Sequence, residues 1–191
     1  MGGGHAPGTG RRATSEFPAG WTDEQIIAVI KDVANDPAEP SKHQHNGRWR
    51  AAAVRNGVEI VVLVEDNGQV HTAYPLRGKG VVRNPDTAAD PANPTVADVA
   101  AGRISYFAEV LLNQLANRLP PEDFEHYRGL LWSGEWEELV DVMVAHIGAE
   151  NITLTVDEYA DLERLLNTYD LPVHGYNFLN DREHVLSKMK P

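Results

Sequence analysis

The chain has 191 residues, 42% hydrophobic and 24% charged, which is enough apolar material for one large or two small cores and too much for bulk disorder. It has no cysteine, which excludes disulfides and thiolate metal sites and fits a cytosolic site of action. No run approaches the roughly 18 consecutive apolar residues of a membrane span, and no basic-then-apolar secretory segment is visible, so no membrane partner is expected.

The formal net charge of −11 argues against nucleic acid as a partner until its distribution is read. Residues 1–94 carry ten Lys/Arg and eleven Asp/Glu, whereas residues 95–191 carry seven and seventeen. Within Lys42–Arg83 the balance reverses to seven basic against three acidic residues. A locally basic segment is therefore followed by a strongly acidic one.

The opening Met1–Arg12, with Gly2, Gly3, Gly4, Gly8 and Gly10 around His5, reads as a loop, because glycine loses the most entropy in a regular element. Thr22 and Gln25 predict a capping box, and Trp21 and Ile26 stand at staple spacing. Ile26, Ile27, Val29, Ile30 and Val33 continue as a helical stripe that Asp36-Pro37 ends. A polar loop at Pro40–Gly47 precedes β-like runs at 48–55, 58–64 and 69–74, with an Asn56-Gly57 turn between the first two and Pro75 as the stop of the third. Arg77–Arg83 reads as a basic loop and 86–94 as a Pro/Ala linker. Helices are predicted from the Thr95/Asp98 start to Leu119, over Pro121–Leu131, over Ser133–His146, and from the Thr155/Glu158 start through Tyr169. The expected fold class is α+β: a helix with an antiparallel β-meander in residues 1–85, then an all-α unit in residues 95–191.

In the third run, Thr72 and Tyr74 are two residues apart and share one sheet face, with His71 on the other. A hydroxyl and a phenol so placed can grip one ligand, the ring by stacking on a base for about 1–3 kcal/mol. An ordinary β-branched and aromatic strand pair has the same pattern. His43 and His45 read as solvated loop residues; as a metal pair they lack a third ligand, and no metal or cofactor is expected.

Several segments, taken in order, resemble the bacterial EndoU domain. They are Gly-Gly-Gly-His-x-Pro-Gly-Thr-Gly (Gly2–Gly10), Ser-Glu-Phe-Pro-x-x-Trp (Ser15–Trp21), the helix Ile26–Pro37, Asn-Gly-Val-x-Ile (Asn56–Ile60), Thr-x-Tyr-Pro (Thr72–Pro75) and Arg-Asn-Pro (Arg83–Pro85). The resemblance implies an RNA endonuclease, often cutting at uridines, in which the 2′-hydroxyl attacks the neighbouring phosphate and leaves a 2′,3′-cyclic phosphate. It implies two histidines, a lysine and a Thr-x-Tyr element as the working groups. On this chain it assigns catalytic roles to His5, Thr72 and Tyr74. The other histidine is expected ahead of Gly2, and the lysine falls near Thr14, where Arg11 and Arg12 are the available cations. Arginine stabilises charge but does not donate a proton at ordinary pH. Arg48, Arg50, Arg77, Lys79 and Arg83 are the expected RNA-binding residues, and no DNA partner is expected.

The acidic half shows no catalytic constellation; His126, His146, His174 and His184 are scattered. Glu122, Asp123, Glu125, Glu135, Glu137, Glu138 and Asp141 form a dense acidic run, read as a solvated face or as carboxylates that occupy a phosphate site. Leu115–Phe124, Ser133–Val140 and Thr155–Tyr159 resemble small helical immunity proteins of the MafI type. The expectation is a toxin–immunity fusion with RNA as substrate and a toxin–immunity contact, within the chain or with a cognate partner. A non-catalytic immunity or interaction protein carrying a dead nuclease remnant is the alternative, and a simple RNA-binding module is a third reading.

Overall fold

The computed structural model describes residues 4–88 and 92–191. Gly2 and Gly3 of the glycine motif and Pro91 of the expected linker lie outside the described residues. The chain divides into two compact units, Met1–Asp86 and Thr87–Pro191. The architecture is α+β, with antiparallel sheets in the first unit and helices in the second.

The first unit is built on a sheet of β2 (Lys42–His43), β3 (Trp49–Arg55), β4 (Val58–Val64) and β5 (Val70–Gly78), antiparallel in that order. Asn56 and Gly57, both at positive φ (52° and 76°), make the two-residue turn that pairs Arg55 with Val58. The helix α1 (Asp23–Asn35) begins as predicted. The Thr22 hydroxyl accepts from the Gln25 N–H, and the Gln25 side chain accepts from the Thr22 N–H at 2.9 Å. Its buried Ile26 and Val33 pack with Phe17 on Ala51, Ala53, Val58, Ile60 and Val62 of one sheet face. Alanines at 51 and 53 leave room for the helix. Arg55 also binds the helix end, its Nη2 donating to the Asp36 carbonyl at 2.6 Å.

Three short strands escaped the sequence reading. β1 (Ser15–Glu16) pairs with β6 (Val82–Arg83), and β2 lies inside the expected polar loop. Pro75 does not stop its strand either. β5 is an edge strand, and Pro75 faces Ile60 beside a register shift, where its missing N–H breaks no regular ladder. Arg77 and Gly78 therefore belong to a strand rather than to the expected loop.

The second unit comprises α2 (Val96–Leu115), α3 (Pro121–Ser133), α4 (Trp136–Ala149), α5 (Val156–Leu166), α6 (Asn177–Asn180) and α7 (Arg182–Met189). Capping boxes at Thr95/Asp98 and Thr155/Glu158 form as read. Gly134, at φ 80°, ends α3 in the left-handed conformation. The central α4 buries Leu139, Val140, Met143, Val144 and Ile147. Burial also breaks up the acidic run expected on one solvated face. Glu138 and Asp141 are 0% and 1% exposed. Asp141 instead caps α6, accepting from the Phe178 and Leu179 N–H groups at 2.9 and 3.1 Å. No described helix is long and apolar enough to cross a membrane.

Truncating Ile60, buried in the core under α1, to alanine should destabilise the first unit by about 2–5 kcal/mol, read as a lower denaturant midpoint in urea titration.

Candidate active site

The second face of the sheet, away from α1, carries the residues of interest. The register places Ala52, Val61 and Tyr74 in one cross-strand row and Arg50, Leu63 and Thr72 in the next. Thr72 and Tyr74 thus share a face, as alternation requires. His71 falls at the register shift between Leu63 and Val64, where its Nδ1 lies 2.8 Å from the Glu65 carboxylate.

Over this face runs the glycine loop, and β1 packs on β5 to bring it there. His5 is held from both ends. Its carbonyl accepts from the Phe17 N–H at 2.9 Å, and its Nδ1 lies 2.6 Å from the Ser15 carbonyl. A carbonyl only accepts, so the proton sits on Nδ1 and Nε2 is left as the basic nitrogen of the neutral ring. The imidazole lies 5.9 Å from the Tyr74 ring, centroid to centroid, at 42°.

Glu16 shapes this loop, a role that nothing in its place in the Glu-Phe-Pro element signals. Its carboxylate accepts from the Gly8 N–H, the Gly10 N–H, the Thr9 hydroxyl and the Asn84 amide, each at 2.7 Å. Gly8 and Gly10 sit at φ 76° and 62°, where a side chain would be strained, so both amides can turn toward one carboxylate. Burial alone would push the Glu16 carboxyl up. The donations from Asn84, Thr9, Gly8 and Gly10 outweigh it and hold the group below its ordinary value.

The two candidate cations behave differently. Arg12 is committed to Asp86, its Nε donating to Oδ1 at 2.7 Å. Arg11 lies against Gly4, so that a Cβ at position 4 would run into its Nη1. Among the described residues no carboxylate pairs with Arg11. Thr14, near the expected lysine position, turns its hydroxyl back to the Arg11 carbonyl at 2.6 Å.

Three sequence expectations need correction. Tyr74 is 0% exposed, so its ring offers no face for the expected base stacking and instead backs His5. Arg48, expected at the RNA surface, is 3% exposed, and its Nε donates to Glu65 at 3.0 Å. Glu65 meets Arg48 and His71 together, which makes Arg48 a buried strut. Arg77 is exposed but occupied by Glu59 at 2.5 Å. Lys79 and Arg83 are exposed. Arg50 is half-buried and lines a groove with Lys42.

Residues 1–77 match the family model described as Bacterial EndoU nuclease, which supports an EndoU-type nuclease domain in the N-terminal part of the chain. No curated protein and no solved structure matches.

Glu16→Gln should loosen the glycine loop, since the amide turns an N–H group toward other donors and loses charge-assisted bonds worth about 1.5–3 kcal/mol each. Because the folded carboxyl titrates below its ordinary 4.5, its stabilisation is fully present above that value and is lost as pH falls through the lower folded-state value. Thermal melts across that acid range should show a pH-dependent loss in the parent that is reduced in the variant.

Proposed function

We propose that the first unit is an RNA endonuclease of EndoU type, acting as a toxin domain. One observation carries the reading: a β-strand clamps His5 in a single tautomer on the Thr72/Tyr74 face, while the Arg11 guanidinium, which no carboxylate among the described residues pairs, packs against Gly4. In this reading His5 Nε2 takes the proton of a ribose 2′-hydroxyl. The 2′-oxygen then attacks phosphorus, the bond to the 5′-oxygen breaks, and a 2′,3′-cyclic phosphate remains. The leaving 5′-oxygen takes a proton from a second donor, for which the family resemblance supplies a histidine ahead of Gly2. Arg11 neutralises charge building on the phosphoryl oxygens, Thr72 hydrogen-bonds the substrate, and Tyr74 positions His5.

The helical unit is proposed as the immunity-type half of a toxin–immunity fusion. Its charge supports this, since residues 95–191 hold most of the chain's excess of carboxylates. With Glu138 and Asp141 committed to the interior and Glu125 paired with Arg128 at 3.2 Å, Glu122 is the exposed carboxylate of the run left to meet a basic partner. A second reading, an immunity or interaction protein with an inactive nuclease remnant, draws on the burial of His5, which is only 4% exposed.

End-labelled RNA separates the two readings, incubated with the full chain and with the chain extended by any in-frame residues that precede Met1. The nuclease reading expects products ending in a cyclic phosphate, and a rate lowered about 10²–10⁴-fold by His5→Ala. Arg11→Ala should cost about 10²–10³-fold, as loss of a charge-stabilising donor does. Arg12→Ala should act on stability instead, through its bond to Asp86. No cleavage by either form would leave the remnant reading standing.

A further inference from the structure

The groove beside β3 lies outside the His5 site. Its volume is about 320 Å³, near the small end of the 300–1,000 Å³ typical of ligand pockets. Lys42 and Arg50 line one part of it, and Ala52, Val54 and Pro40 give it an apolar floor. Lys42 and Arg50 are direct cross-strand partners, so two cations stand side by side on one face. Neither has a hydrogen-bond or ion-pair partner among the described residues, and the Arg50 Nε is buried with its donor unused. Three other arginines in or next to the sheet contrast with this: Arg48, Arg55 and Arg77 are each held by a carboxylate. Two acids line the groove as well. Glu59 is taken by Arg77, and Glu39 is exposed at the rim. An unspent donor next to an uncompensated ammonium is a poor structural device and a good receptor for an anion.

The register also fixes where this receptor stands. Lys42, Arg50, Leu63 and Thr72 form one row across β2, β3, β4 and β5. Arg50 is therefore two strand spacings from Thr72, about 10 Å between backbones. A single RNA strand whose scissile phosphate lies at Thr72 would carry a neighbouring phosphate within reach of the extended guanidinium. We propose that Lys42 and Arg50 form a subsite for a phosphate flanking the cleaved bond, with the adjoining nucleoside resting on Ala52 and Val54. The proposal rests on the nuclease reading for its substrate, but its test does not need turnover.

The probe is a fluorescein-labelled, fully 2′-O-methylated RNA octamer, which lacks the attacking hydroxyl, titrated by anisotropy against the full chain at several salt concentrations. Each lost contact to a single-stranded phosphate should make the slope of log K against log [salt] shallower by about 0.7. The Lys42→Gln/Arg50→Gln pair is expected to make it shallower by about 1.4, with affinity down at least tenfold in low salt, and Arg50→Lys should retain most of the slope. Lys42→Gln alone, on an exposed two-residue strand, gives half the change without touching the core. Unchanged affinity and slope in the double variant would overturn the subsite. Binding that depends on Lys42 and Arg50, in a chain that cuts no RNA, would uphold the subsite and remove the nuclease reading alone.

Discussion

The geometry of the first unit depends on one carboxylate. Glu16 collects four donors from two separate stretches of chain: Gly8, Thr9 and Gly10 in the loop that follows His5, and Asn84 beyond the main sheet. A loop this rich in glycine has high entropy to lose, and a charged acceptor shared among several amides is among the stronger ways to offset that loss. Once the loop is pinned, β1 can pair with β6 and lie over β5, and His5 is delivered to Tyr74. The imidazole is therefore positioned by a residue that does not touch it. Its tautomer is set separately, by the Ser15 carbonyl on the same short strand.

Local signals in the sequence were legible where local physics decides the outcome. Thr22/Gln25, Thr95/Asp98 and Thr155/Glu158 each form the reciprocal cap that their spacing implies, and Asn56-Gly57 makes the two-residue turn its left-handed preference favours. Long-range pairing was not legible. β1 and β6 are two residues each and 66 positions apart, too short for any periodicity to register. Pro75 misled because a stop signal holds for a central strand and not for an edge strand at a register shift. The candidate site divides the same way. Alternation correctly placed Thr72 and Tyr74 on one face, but nothing in their spacing revealed that the loop would cover Tyr74. Composition likewise could not separate Arg48, sealed against Glu65, from Arg50 two residues on, whose buried Nε has no hydrogen-bond partner among the described residues.

The second unit teaches a related lesson about charge. Its excess of acid reads as surface, yet Glu138 and Asp141 lie in the helix most completely surrounded by other side chains. Asp141 satisfies the start of the short α6, which has no cap of its own from Tyr176. Glu158 joins α5 to the chain after α2. Burial would raise its carboxyl, while the Thr155 N–H and the Arg118 guanidinium bring it below the ordinary value. Arg118 also donates to the Thr153 carbonyl at 2.9 Å. These acids hold helices together, and only the remainder are free to define a surface.

The clasp between Arg12 and Asp86 bears on where this unit ends as a folding object. The family match stops at residue 77, whereas the groups that close the loop lie after it: β6 for β1, Asn84 for Glu16, the Pro85 carbonyl for the Ala13 N–H, and Asp86 for Arg12. A fragment cut at the limit of sequence similarity would keep the meander and α1 but forfeit every one of those late tethers. The histidine-bearing segment would then swing on glycine hinges, with its chemistry intact on paper and nowhere to perform it.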